Sequence, residues 1–192
     1  MRALIVSMLV ALGACGPAPA DPQAPAQQAA ALEAENLCPA SAATTWTGDG
    51  AAFSLEAAAA GPDCAQATAT LTVRGPSGDV TLRETFPAAQ VMTLAGAESA
   101  TDMERRLAEW ISPPGAAFDS TGDLPAWARG AVQPMNEEFP FYTEAAFDRA
   151  AYEALRARDA AMLCFVQGME SLACYAPEGA RLVKIGVQSF PG

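Results

Sequence analysis

Few residues in this chain have the types and spacing that catalysis needs. The sequence contains no histidine. That removes the commonest general base, the usual partner of a nucleophilic Ser or Cys, and the commonest metal ligand. No serine sits in a G-x-S-x-G elbow. Ser–Lys catalysis would have to use Lys184, the only lysine, but no S-x-x-K precedes it and it falls in a strand-like pattern. The run Asp119-Ser120-Thr121-Gly122-Asp123 does not match the aspartic-protease triplet, because Ser120 separates Asp119 from Thr121-Gly122. It also offers fewer oxygen ligands in sequence than a calcium loop requires, so it reads as a turn. Glycoside hydrolysis needs only two carboxylates. Glu137 and Glu138 are adjacent, but adjacency does not aim them at one bond, and they read as solvated charges. No phosphate-cradling Gly loop is present. The expectation is a non-enzyme with no catalytic residues, no cofactor and no metal site.

The remaining reactive residues are five cysteines. Arg2 precedes an apolar run over residues 3–11, which is shorter than the roughly 20 residues of a membrane-spanning helix and suits a secretory signal. Leu12-Gly13-Ala14-Cys15 follows. This order of charge, apolar run, small residues and cysteine resembles the lipobox of bacterial lipoproteins, a resemblance confined to the signal and its cleavage site. It implies export, removal of residues 1–14, a diacylglycerol thioether on Cys15, and acylation of its amino group. Several acyl chains give stable anchoring where one is marginal. Gly16 in place of Asp implies the outer membrane, facing the periplasm. Setting Cys15 aside leaves Cys38, Cys64, Cys164 and Cys174. An even number in an exported chain reads as disulfides, with three connectivities open. Sequence neighbourhood favours Cys38–Cys64 and Cys164–Cys174. No close C-x-x-C pairs suggest zinc.

Net charge is −11 over 192 residues, and it becomes −12 once Arg2 leaves with the signal, with 10 basic against 22 acidic residues. Such a body is unsuited to nucleic acid, whose phosphates need a basic face, and to charge-driven adhesion to anionic lipid. It attracts cationic partners at long range. The 51% apolar content is inflated by alanine.

Residues 15–36 read as a tether of low order, its first part stiffened by Pro17, Pro19, Pro22 and Pro25; the helical pattern over 27–37 has an apolar face of mostly alanine. Residues 37–192 read as one domain. Alternation predicts strands at 52–57, 67–73 and 80–86, the last two forming a hairpin around the turn at 75–79, and a further short strand at 90–94. A helix is predicted from Thr101, with Glu104 completing a capping box and Met103, Leu107, Trp110 and Ile111 on its inner face. Asp123 is expected to cap a short helix through Trp127, ended by Gly130. Thr143 is expected to cap a helix to Ala160, with Phe147, Ala151 and Leu155 inward and Arg149, Arg156 and Arg158 outward. Strands follow at 162–167 and 181–190. A hairpin loop at 168–170 sets Cys164 opposite Cys174. The pattern predicts an α+β fold, a mainly antiparallel sheet with two packed helices, braced by disulfides.

Residues 112–142 show little periodicity, and connections of that length are uncommon unless functional. They carry Trp127, Arg129, Glu137, Glu138, Phe139, Phe141 and Tyr142, the residue types that dominate hot spots. This is the candidate surface for an envelope protein partner. The alternative is that the aromatics fold back over the sheet. The functional expectation is a membrane-anchored cell-envelope lipoprotein, held through Cys15, that binds or scaffolds without catalysis. The alternative is a periplasmic inhibitor of a cationic hydrolase such as lysozyme, suggested by export, acidity and a small disulfide-braced sheet.

Overall fold

The computed structural model describes residues 37–190 apart from 114, 118 and 180. The expected signal, Cys15 and the tether lie outside the described residues. The first half is an antiparallel meander: β1 (Ala40–Gly48), β2 (Ala51–Ala60), β3 (Thr68–Arg74) and β4 (Val80–Pro87), in that spatial order. The two-residue period buries Phe53, Leu55, Ala57 and Ala59 of β2 and packs them beside Ala69, Leu71 and Val73 of β3. β1 is an addition to the sequence reading, which began the sheet at 52. Asp49 and Gly50, with φ of 50° and 77°, close the β1–β2 hairpin in the two-residue turn that Asp-Gly favours. Residues 90–94 form no strand. A 3-10 turn at Ala88–Gln90 leads into further turns, in which Leu94 and Ala95 both donate to the Val91 carbonyl, so no backbone groups are left aligned for a ladder.

The first helix, α1, spans Ala100–Trp110. Its N-cap is Ser99, whose hydroxyl accepts from the Asp102 N–H, so neither Thr101 nor Glu104 plays the expected capping part. Met103, Leu107, Trp110 and the C-cap Ile111 are buried as expected.

The second half forms a six-stranded antiparallel sheet. Its strands are β5 (Ala116–Ala117), β6 (Met135–Asn136), β7 (Phe139–Thr143), β8 (Leu163–Val166), β9 (Ser171–Glu178) and β10 (Arg181–Ser189), ordered β5-β8-β9-β10-β7-β6. The second helix, α2, spans Arg149–Arg158 and is capped by Asp148, which accepts from the Ala151 N–H. Thr143 is not its cap, because it lies in β7 opposite Gly186. Tyr152 and Leu155 are the buried residues of α2, whereas Ala151 is exposed and Arg156 is half-buried, donating from Nε to the Leu124 carbonyl.

Both faces of the six-stranded sheet are covered. Leu163, Phe165, Ala173 and Tyr175 belong to the core shared with the meander and α1. Cys164, Cys174, Ala176 and Phe141 belong to a second core under α2. A bulge at Ile185, between the Lys184–Tyr175 and Gly186–Cys174 pairs, turns Ile185 into that second core. Gly186 is required beside it: a Cβ there would run into the Tyr142 carbonyl and the Phe141 ring. The disulfides are Cys38–Cys64, tying the start of β1 to the turn after β2, and Cys164–Cys174, bridging directly opposed residues of β8 and β9. The fold is α+β with antiparallel sheets, two helices and two disulfides.

Loop lengths of 26 and 10 residues separate the two crosslinks in energetic weight. Cys38→Ala/Cys64→Ala is expected to lower unfolding free energy by about 3.5 kcal/mol and Cys164→Ala/Cys174→Ala by about 2.7 kcal/mol, read by denaturant titration. A second prediction concerns acid. Hydrogen bonds from Arg106 and then Arg105 hold the Asp102 carboxyl down from 3.8 to about 2. A depressed carboxylate stabilises the fold above its unfolded pKa and loses that contribution as pH falls through the folded one. The melting-temperature gap between the native chain and Asp102→Asn is therefore expected to be full above about pH 5 and to close between about pH 4 and about pH 2.

Candidate functional site

The connection between the helices is anchored rather than free. Thr121 is fully buried; its hydroxyl donates to the Leu155 carbonyl (2.9 Å) and accepts from the Ala160 N–H (3.0 Å). Residues 119–123 do form a turn, but Asp123 caps no helix reaching Trp127. Ser120 caps a 3-10 turn at Thr121–Asp123, and the Asp123 carboxylate accepts from the Ser120 N–H.

Trp127 lies against α2. Its backbone N–H donates to Glu153 Oε1 (2.8 Å), its indole N–H donates to the Ala131 carbonyl (3.0 Å), and its ring meets Tyr152 edge-on at 5.7 Å. The Trp127 N–H holds the Glu153 carboxyl below its ordinary pKa, with Arg156 adding to the effect. Tyr152 donates to the Pro125 carbonyl, and burial pushes its phenol up. Arg129 is exposed in the loop that follows. Phe141 is buried beneath Tyr152 at 5.9 Å, while its neighbour Tyr142 faces the other way and is 52% exposed. Glu137 and Glu138 are the two turn residues of the β6–β7 hairpin, with Glu137 at φ 55°. The structure thus separates the five candidate residues. Trp127 sits beside α2, Arg129 in the exposed loop after it, Glu137 and Glu138 at one end of the sheet, and Tyr142 on a strand face. Trp127 packs on Tyr152 of α2, and Phe141 is buried within β7 itself.

Two of the surface grooves formed by the described residues are mainly apolar. One, of about 230 Å³, runs between α2 and the β9–β10 hairpin, lined by Phe147, Ala151, Leu155, Arg158, Glu178 and Val183 among others. The other, of about 330 Å³, lies at the end of the sheet where β8 turns into β9 and β10 finishes; Met92, Val166, Met169, Leu172 and Phe190 form its apolar wall and Glu170 its rim. The backbone fixes this second groove. The Met92 N–H donates to the Gly168 carbonyl (3.2 Å), the Phe190 N–H to the Glu170 carbonyl (2.8 Å), and the Gln167 N–H to the Ser171 carbonyl (3.0 Å). Met92 is 55% exposed, Met169 53% and Phe190 37%. The sequence reading placed Met92 in a strand and Met169 in a plain hairpin loop. Their signal was a large flexible apolar side chain at a turn, where solvent is the default neighbour.

Between the two sheets Tyr175 donates to Glu84 Oε1 (3.0 Å), and within the second sheet's half Lys184 lies 3.4 Å from Glu144 Oε1. Burial and the Glu84 carboxylate push the Tyr175 phenol up. Among the described residues, no group of three or more His, Cys, Asp or Glu side chains could hold a metal ion, and no buried side-chain polar atom lacks a hydrogen-bond partner. No protein-family model, curated protein or solved structure matches this chain.

Trp127 is half-buried and packs on Tyr152, so it contributes to stability. Trp127→Ala is expected to cost about 1–2 kcal/mol of stability in a denaturant titration, whereas Val132→Ser, at a 90% exposed position, leaves stability unchanged.

Proposed function

We propose that the chain is a lipid-anchored bacterial cell-envelope protein whose folded body is a non-catalytic binding module. The reading rests on the order of Arg2, the apolar residues 3–11 and Leu12-Gly13-Ala14-Cys15. Two disulfides fit an oxidising compartment. Acyl chains on Cys15 would supply the membrane affinity that an acidic body lacks. The 21 residues from Gly16 to Asn36 would hold the domain up to about 65 Å from the bilayer at the rise of an extended Pro-rich chain. On the outer membrane, facing the periplasm, such a module meets other envelope proteins and no nucleic acid.

The chemistry of the chain supports a binding role over catalysis. It has no histidine, and Cys38, Cys64, Cys164 and Cys174 are spent in disulfides. The two described carboxyl groups with shifted pKa values, Asp102 and Glu153, are moved downward, the opposite of what an acid catalyst working near neutral pH needs. What the surface offers instead is a fixed apolar groove with exposed methionines, and methionine adapts readily to a partner's contours.

The anchor is tested by mass spectrometry of the membrane fraction. An N-terminal peptide beginning at Cys15 and carrying acyl chains is expected, and Cys15→Ser should block both acylation and cleavage. A Cys15→Ser protein that is still processed and still membrane-bound would overturn the assignment.

A further inference from the structure

The antiparallel register places three acidic residues at the end of the six-stranded sheet that carries the second groove, with Glu170 in the groove's own lining. β9 begins at Ser171 opposite Ser189, where β10 ends, and β10 carries Gln188 opposite Phe141 near the start of β7. The β8–β9 turn with Glu170 and the β6–β7 turn with Glu137 and Glu138 therefore project from the same end. Phe139, next to Glu138, lies 5.4 Å from Phe190, ring to ring, so the apolar wall continues from the groove to the acidic hairpin. The result is an apolar floor of Met92, Met169, Leu172 and Phe190 with Glu170 in its lining, and Glu137 and Glu138 on the β6–β7 turn at the same end of the sheet. No lysine or arginine lines the groove or either turn.

We propose that this end of the sheet docks a cationic amphipathic segment of a partner protein, with its apolar side chains on the methionines and Phe190 and its lysines or arginines facing Glu170, Glu137 and Glu138. This rests on the reading of the domain as a binding module and names its partner by chemistry. Charge complementarity selects the occupant. An acidic segment would meet three carboxylates on a chain of net charge −11, and so would an anionic bilayer. A polar cationic segment would leave the apolar floor wet. Exposed methionines suit a side-chain pattern rather than one shape, and a helix with apolar residues at i, i+3, i+4 and i+7 presents such a pattern to a groove. The α2 groove is a poorer match, because Arg158 and Glu178 place both signs at its rim.

The test uses the full-length protein in phosphatidylcholine nanodiscs, with empty discs as blank, and a fluorescent amphipathic Lys/Leu helix read by anisotropy. The Lys/Leu helix is expected to bind, with affinity falling as salt rises; Glu/Leu and Lys/Ser counterparts are expected not to bind. Met92→Ser/Met169→Ser should weaken binding by about tenfold or more, while Met92→Leu/Met169→Leu retains it. Glu137→Gln/Glu138→Gln/Glu170→Gln should weaken it several-fold and flatten the salt dependence. These positions are exposed turn residues, so melting temperatures should match the native protein. Equal binding of the Glu/Leu or Lys/Ser helix, or indifference to the methionine change, overturns the proposal. So does a Met92→Ser/Met169→Ser protein that loses binding to phosphatidylglycerol vesicles yet keeps its peptide affinity, which would make the groove a membrane contact. Acylation of Cys15 is scored separately, so a lipidated protein that ignores the peptide overturns the docking site and leaves the anchor standing.

Discussion

Phe165 and Tyr175 stack at 5.6 Å on the hairpin at the centre of the second sheet, and Phe86 from the meander and Trp110 from α1 meet Phe165 edge-on at about 6 Å. The Trp110 indole N–H donates to the Val166 carbonyl at 2.6 Å, so the largest of these rings is satisfied as well as buried. This seam is the place where three pieces distant in sequence, the meander, α1 and the β8–β9 hairpin, touch one another. A fully buried ring contributes roughly 2–3 kcal/mol by area, and edge-to-face pairs add about 1 kcal/mol each. The second core depends on it indirectly. Cys164 and Cys174 can face α2 only because the residues on either side, Phe165 and Tyr175 among them, face the meander, and a one-residue slip would exchange the two faces.

An open sheet leaves the backbone groups of its outermost strands unpaired, and the chain limits this by shortness. β5 and β6, the outermost strands, have two residues each, which leaves almost no ladder for another chain to extend. In the meander, β4 turns Glu84 towards the second sheet, where Tyr175 donates to it. An inward carboxylate on an outer strand resists strand addition, because a misplaced partner would strand it without its donor.

The strands and disulfides were legible because their signals are local. Alternation in 52–57 and 67–73, the Gly75-Pro76-Ser77-Gly78-Asp79 turn, and cysteine pairs within one hairpin or neighbourhood each depend on a few adjacent residues. β1 was not legible, since Ala40–Gly48 is mostly alanine, threonine and serine, with Trp46 its one large apolar residue. Its strand character comes from pairing with β2 along its whole length. The helix starts were misplaced for a related reason. Thr101 and Thr143 are plausible caps by type, but Ser99 and Asp148 have the extended backbone and the oxygen in reach of an N–H. β7 was hidden by Pro134 and Pro140 and by a ladder to β10 of only three residue pairs. The candidate site was legible in composition and not in placement. Trp127 and Tyr142 are both partner-type residues, yet one is spent on Tyr152 and the other shares a strand with the buried Phe141. Nothing in the sequence brings Met92 to Met169; the Met92–Gly168 backbone bond does that across 76 residues.

The same architecture decides where a contact surface is left over. A sheet largely covered on both faces and clipped at both edges leaves much of its remaining boundary at the ends of its strands, where turns must expose their side chains to water. Turns are normally polar for that reason. Here one end carries Met92, Met169 and Phe190, three of the eight large apolar side chains exposed among the described residues, and they line a single groove. Scattered exposure of apolar residues is ordinary on protein surfaces, whereas convergence on one fixed concavity is not. The groove's methionines give nothing evident to stability: they are more than half exposed, and the backbone bonds that shape the groove would form equally well with serine in their place. Val166 and Leu172 of the same groove do pack into the core, so the groove is a surface whose inner wall belongs to the fold and whose outer side chains face water.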